Sequence, residues 1–202
     1  MAAAASTAAT PPASEPDDRR FVLHGVTWAQ YLAVRAIFDD RPGLRMNFVE
    51  GTLELMSPSK EHEYIKKQLA RLLELYALAR GVRLHGYGQT TFRHEAAERG
   101  LEPDECYWVG DVDGEYPHLA IEVVVTSGGI DKLKAYAPLG VREVWFWRSD
   151  RFELYGLRDG AYSPIARSAL LPLLDVEELA RHVRMRDQAD AARAWWEALG
   201  GR

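Results

Sequence analysis

The run Leu119-Ala120-Ile121-Glu122-Val123-Val124-Val125 constrains the fold more than any other segment. Successive side chains of a strand point to opposite faces. Leu119, Ile121, Val123 and Val125 therefore take one face, and Ala120, Glu122 and Val124 the other. Both faces are apolar except at Glu122, the pattern of a central strand covered on both sides. An ionised carboxylate there is strongly disfavoured unless a cation or hydrogen-bond donors compensate it. Glu122 is thus a functional candidate. The plainer alternative is a strand-end Glu satisfied by a backbone N–H or a neighbouring Arg.

Around this strand the chain alternates helix and strand signals. Thr27 is placed to cap a helix from Trp28 to about Phe38. Leu44–Val49 and Thr52–Met56 flank Glu50-Gly51 and predict a hairpin, with Gly supplying the positive φ of a tight turn. Ser57-Pro58-Ser59 opens a helix in which Ile65, Leu69, Leu72, Leu73 and Tyr76 follow the 3.6-residue period, and Gly81 stops it. Strand-like stretches follow near Leu84–Phe92 and Cys106–Val109. A short helix is predicted over Ile130–Ala137. Val141–Trp147 and Arg151–Leu157 read as a second hairpin pair, with Asp159-Gly160 turning into one more strand. Asp175 and Glu178 form a capping box for a helical region running through Leu199. Interleaving of this kind predicts an α/β fold with a mixed central sheet flanked by helices.

Residues 1–20, rich in Ala, Ser, Thr and Pro, read as a disordered tail, and 21–202 as a single domain. The tail has no basic start and no Leu/Ile/Val core, so it makes a poor secretory signal. Cys106 is the only cysteine, which excludes an intrachain disulfide and suits a reducing, cytoplasmic setting. No apolar run approaches the roughly 20 residues of a membrane span. The net charge of −5 is not the strongly basic balance of an obligate nucleic-acid binder. It still permits an enzyme that touches a few phosphates through a local patch.

Upstream of the Glu122 strand stands Glu102-Pro103-Asp104-Glu105-Cys106-Tyr107-Trp108-Val109. Pro103 fits the first residue or edge of a strand, and Asp104, Cys106 and Trp108 share one face. If that strand lies beside 119–125, Asp104 and Glu122 converge on one hard cation. Magnesium suits such a pair, since it takes one or two carboxylates together with waters and phosphate oxygens. For Pro-Asp taken alone, the bland alternative is an ordinary turn. After the Thr126–Gly129 loop comes Asp131-Lys132-Leu133-Lys134-Ala135-Tyr136, where a helix folding back could bring one Lys to the sheet edge. Such a Lys would stabilise developing negative charge. Lys132 and Lys134 compete for the role, and a solvated helix face is the plain alternative for both. Cys106 has no Cys or His at zinc spacing.

These segments, taken in order, resemble the Uma family of bacterial restriction endonucleases, a group within the PD-(D/E)xK nuclease superfamily. The resemblance is carried by Gly100-Leu101-Glu102-Pro103-Asp104-Glu105, Ile121-Glu122-Val123 with Thr126-Ser127, Asp131-Lys132 with Tyr136, and Leu139-Gly140-Val141-Arg142-Glu143-Val144-Trp145. Gly51-Thr52-Leu53-Glu54-Leu55-Met56-Ser57-Pro58 followed by Glu61-His62-Glu63 extends it upstream. The likeness covers about residues 24–180. It implies a restriction-endonuclease-like fold, Asp104 and Glu122 as the paired acids and metal ligands, and Mg2+ or Mn2+ as cofactor. Val124 stands where the superfamily has its lysine, so the basic role passes to Lys132.

Related nucleases often add an acid from the first core helix. His62 lies on the stripe of Ile65 and Leu69; it either orients a ligand or is satisfied within the core. Glu61 is nearer that stripe than Glu63. Glu54 faces opposite Leu53 and Leu55, which a solvated strand position explains. Lys66, Lys67, Arg71, Arg181, Arg184 and Arg186 are candidate phosphate contacts, with solubility as the commoner explanation of such residues. Trp195 and Trp196 either anchor the last helix or form a subunit contact in a homodimer. The expected activity is metal-dependent phosphodiester hydrolysis with DNA as substrate. The rival is a non-catalytic module that keeps the fold and binds nucleic acid or protein.

Overall fold

A computed structural model describes residues 17–38, 43–88, 90–126 and 129–201. Strand β1 (Arg19–His24) is followed by helix α1 (Trp28–Phe38), the hairpin β2 (Arg45–Val49) and β3 (Thr52–Ser57), and the long helix α2 (Lys60–Arg80). Short strands β4 (Leu84–Gly86), β5 (Phe92–His94) and β6 (Arg99–Leu101) lead into β7 (Glu105–Val109) and β8 (Leu119–Val124). Helix α3 (Lys132–Tyr136), strands β9 (Glu143–Arg148), β10 (Arg151–Arg158) and β11 (Ala161–Pro164), and helices α4 (Val176–Val183) and α5 (Gln188–Ala198) complete the order.

Local chemistry sets the boundaries. Glu50 and Gly51 both have positive φ, 47° and 78°, which is the backbone a two-residue hairpin turn requires. The Ser59 side chain accepts from the His62 N–H and caps α2, and Gly81 ends that helix in the left-handed conformation at φ 64°. Asp131 caps α3 and Asp175 caps α4, each by accepting from the N–H three residues on.

The strands form two sheets. A mixed six-stranded sheet has the order β11-β10-β9-β8-β7-β4, with β8 and β9 parallel and the other pairs antiparallel. The first hairpin belongs to a separate antiparallel sheet of order β1-β3-β2-β6-β5. The stretch near Leu84–Phe92 therefore divides between two sheets; the chain leaves the first after Gly86 and joins the second at Phe92.

Three apolar clusters order the layers. Leu119, Ile121 and Val123 pack with Leu69, Leu72, Leu73 and Tyr76 of α2, Leu179 of α4 and Trp195 of α5. Ala120, Val144 and Phe146, on the opposite face of the sheet, pack with Ala135, Tyr136 and Leu139 and meet Val49, Phe92 and Leu101 of the five-stranded sheet. Tyr31 of α1 closes the far face of that second sheet with Met46, Phe48 and Leu53. Strand β8 is thus covered on both faces, as its alternation predicts. Trp195 is used inside the chain: its Nε1–H donates to the Leu72 carbonyl at 2.8 Å and anchors α5 on α2.

The tail boundary expected at residue 20 needs correction. Arg19 and Arg20 are already paired in β1, opposite Ser57 and Met56. Asp18 is buried and accepts from the Ser59 N–H at 2.7 Å. Residues 1–16 lie outside the described residues. Among the described residues no helix is long and apolar enough to cross a membrane.

Candidate active site

The two sheets face each other across a cleft of about 400 Å3. Antiparallel pairing of β7 with β8 sets Glu105 opposite Ile121, and Asp104 lies one residue before β7. Its Oδ2 accepts from the Val123 N–H at 2.6 Å. Asp104 and Glu122 both line the cleft, each almost wholly buried. The paired acids expected from the sequence therefore come together on one face of the mixed sheet.

Glu122 is not left uncompensated. Lys132 Nζ lies 3.1 Å from its Oε1, and the Tyr136 hydroxyl donates to the same oxygen at 2.5 Å. Tyr136 is fully buried; burial and the neighbouring Glu122 charge push its phenol well above the ordinary range, so it stays a donor. Lys132 lines the cleft, whereas Lys134 is exposed and lies nearest Asp131. The two lysines stand two residues apart, about half a turn of α3, so residue 132 faces the sheet and residue 134 faces solvent.

Asp104 is held from the other side. Arg45 of β2 is 1% exposed and ion-pairs with Asp104 Oδ1 and with Glu63. His62 stands between two carboxylates, its Nδ1 3.0 Å from Asp18 Oδ2 and its Nε2 3.0 Å from Asp104 Oδ1. His62 accordingly positions an acid. Burial alone would raise the Asp18 pKa, but hydrogen bonds from His62 and the Ser59 N–H, together with the His62 charge, outweigh it. They hold the carboxyl at about 2, against an ordinary 3.8.

That depression has a stability consequence. A carboxyl depressed on folding contributes stability that is complete above its unfolded value and disappears as pH falls through its folded value. Asp18→Asn is therefore expected to cost about 2 kcal/mol at neutral pH. The gap to wild type should close as pH drops from about 4 towards about 2. Urea melts of both proteins along that pH range give the measurement, and a gap unchanged by pH would assign the loss to packing instead of charge.

Other expectations change. Glu54 is not solvated: it is 2% exposed. It accepts from Asn47 Nδ2 at 3.0 Å and from the Ile130 N–H at 3.2 Å, and pairs with Arg20 Nε at 3.1 Å. Its strand is central, and the face opposite Leu53 and Leu55 is the wall of the cleft. Glu61 is exposed on the first turn of α2 and does not line the cleft. None of Lys66, Lys67, Arg71, Arg181, Arg184 and Arg186 lines it either. Lys66 pairs with Glu63, Arg71 donates to Gln188, Arg181 pairs with Glu178, and Arg184 donates to the Asp150 carbonyl. Cys106 is buried, and burial followed by the Glu105 charge pushes its thiol up to about 12, so it is an inert core residue.

No chemical role for Arg45, Asp18, Tyr136 or Arg148 is assigned from the sequence. Arg148 ends β9 on the cleft side, opposite Val124, with its guanidinium carbon 5.4 Å from the Phe146 ring centroid. Alternation could have flagged Arg45: it shares a strand face with Asn47, while Met46 and Phe48 take the apolar one.

The donor set fits a hard divalent cation held by few protein ligands. Among the described residues no three His, Cys, Asp or Glu side chains form a metal-binding group, so an all-protein cage is excluded there. Asp104 Oδ1 is buried and lacks an aligned hydrogen-bond donor despite its two ion-pair neighbours. Both partners of Glu122 engage Oε1, and no donor among the described residues reaches Oε2. A metal would take Glu122 Oε2 directly and share or displace the Arg45 and His62 contacts at Asp104 Oδ1. A carboxylate pair of this kind suits Mg2+ or Mn2+, which complete their shells with water and substrate.

The model of the Uma2 family, described as "Putative restriction endonuclease", matches residues 28–186. That span takes in every cleft residue except Arg20. No curated protein matches the chain.

Proposed function

The chain belongs to the Uma2 family, and from that premise we propose that it is a divalent-metal-dependent endonuclease that hydrolyses phosphodiester bonds in DNA. The fold is restriction-endonuclease-like. The observation that carries the reading is the convergence of Asp104, Glu122 and Lys132 in one cleft between two sheets.

Asp104 and Glu122 would hold Mg2+ or Mn2+. Such a cation, when bound, supplies Lewis acidity at a phosphoryl oxygen and acidifies water. The chain's own groups do the rest. Lys132 presents a fixed positive charge beside Glu122, where a phosphate would gain negative charge. Tyr136 fixes the Glu122 carboxylate by donating to one oxygen, leaving the other for a ligand. Asp104 is fixed at both oxygens, by the Val123 N–H at Oδ2 and by His62 at Oδ1. Arg148, exposed at the rim, is the cation an incoming phosphate meets.

The test is cleavage of DNA with Mg2+ or Mn2+ by wild type and by Lys132→Met. Removing the lysine should lower kcat by roughly 10²–10³-fold with little change in KM. Equal rates would remove Lys132 from the chemistry. A second reading, a module that keeps the fold without catalysis, is favoured by one observation: the Arg45 guanidinium already sits on the Asp104 oxygen a metal would use. Calorimetric titration with Mg2+ separates the two readings, since a degenerate site binds no metal.

A further inference from the structure

The cleft limits the form of DNA that can reach it. Asp104 is 1% exposed and Glu122 5%. Asn47 and Glu54 wall the cleft from one sheet, Val124 and Phe146 from the other, and Ile130–Leu133 closes a side. Pockets of about 300–1,000 Å3 accept a drug-sized guest. At about 400 Å3 this cleft has the capacity of a single nucleotide. A duplex is stiff over tens of base pairs, and its strands are held together by pairing. To bring a phosphate down to these acids, one strand must enter without its complement.

Charge points the same way. Binding along duplex DNA draws most of its affinity from Lys and Arg that neutralise successive phosphates. Here Lys66, Lys67, Arg71, Arg181 and Arg184 lie on α2, α4 and the end of α4, and those helices cover the opposite face of the mixed sheet. At the cleft, Arg148 is the most exposed cation, its side chain 46% accessible; Arg20 and Lys132 reach 16% and 14%, and Arg45 1%. Each already has a carboxylate partner in the chain, Glu153, Glu54, Glu122 and Asp104 in turn, so the array has charge to offer one or two phosphates and no long backbone track.

The rim is aromatic. Arg148 lies over Phe146, and Tyr155 meets that ring edge-on, centroids 5.7 Å apart and planes at 85°. An arginine plane and a partly exposed tyrosine offer stacking surfaces to unpaired bases, a mode that needs no particular sequence. In a duplex the base faces are already stacked on each other.

We propose that the cleft takes a single unpaired DNA strand, one nucleotide deep, past Arg148 and Tyr155, in preference to a duplex. This rests on the nuclease reading for its chemistry, but the strand preference is measurable without cleavage. In the first measurement, full-length protein with Mg2+ or Mn2+ is given an end-labelled strand, the same strand in a blunt duplex, and a duplex with an unpaired tail. In the second, fluorescence anisotropy with EDTA compares binding of the strand and the blunt duplex to Glu122→Gln protein. The free strand and the unpaired tail should be cut roughly tenfold or more faster than the blunt duplex, and the strand bound roughly tenfold or more tighter, the size of one lost base-stacking contact. Equal cutting and binding of blunt duplex would overturn the proposal and leave the nuclease reading standing. No cutting of any DNA, with the binding preference intact, would overturn the nuclease reading and uphold the strand preference.

Discussion

Glu122→Gln is expected to lower the DNA cleavage rate by roughly 10³-fold or more while leaving stability in EDTA within about 1 kcal/mol of wild type. The separation follows from the contacts. Glutamine keeps an oxygen where Glu122 Oε1 accepts from the Tyr136 hydroxyl and meets Lys132 Nζ. What it removes is the negative charge, and with it the attraction for a divalent cation. The charge also costs less in the metal-free protein than an isolated acid in an apolar strand would, because Lys132 stands 3.1 Å away. Glu122→Ala should behave differently. It leaves the fully buried Tyr136 hydroxyl without its acceptor, at about 1–3 kcal/mol, and strands Lys132 as well. Paired thermal melts and cleavage assays of the three proteins make the measurement. If Glu122→Gln cuts at more than a tenth of the wild-type rate, Glu122 is structural and the metal reading loses its first ligand.

What could be read from the sequence was whatever a single element determines. The 119–125 alternation pointed Glu122 to an inner face because Ala120 and Val124, two residues to either side on that face, are apolar as well as Ile121 and Val123 on the other. The helical stripe from His62 to Tyr76 and the caps at Ser59, Gly81 and Asp175 were legible because capping is local chemistry. Lys132 and Lys134 could not be separated, since a five-residue helix after a loop has no stripe long enough to fix its rotation. The larger misses arose where two elements meet. Arg45, Asn47 and Glu54 form the polar face of an amphipathic hairpin, and such a face ordinarily meets water. Here it meets a second sheet, and its polar groups satisfy one another and Asp104 across the gap. Nothing within Arg45–Ser57 announces that second sheet. Asp18 was lost for the opposite reason: it ends a low-complexity stretch, yet its partners Ser59 and His62 lie 41 and 44 residues away.

Arg45→Met is expected to have the largest effect on stability. Methionine fills much of the arginine's volume, so the change isolates charge from packing. The guanidinium is buried against Asp104 and Glu63, and its loss leaves the Asp104 carboxylate in the cleft wall with His62 and the Val123 N–H as its remaining partners. Breaking a buried ion pair in this one-sided way costs about 3–5 kcal/mol. In a chain of this length that corresponds to roughly 6–20 °C in Tm, measured in EDTA. A divalent cation should recover part of the loss. Guanidinium and metal compete for the same Asp104 oxygen, so removing one admits the other, and a ligand that binds only the folded state raises Tm. The rise in Tm on adding excess Mg2+ or Mn2+ should therefore be larger in Arg45→Met than in wild type. A variant that melts at the wild-type temperature in EDTA would show that Asp104 does not depend on Arg45. A variant that is destabilised but gains nothing from metal would mean that Arg45 is the only cation this acid takes. The cleft would then be a binding site built on a nuclease fold, and Asp104 a structural anchor in it.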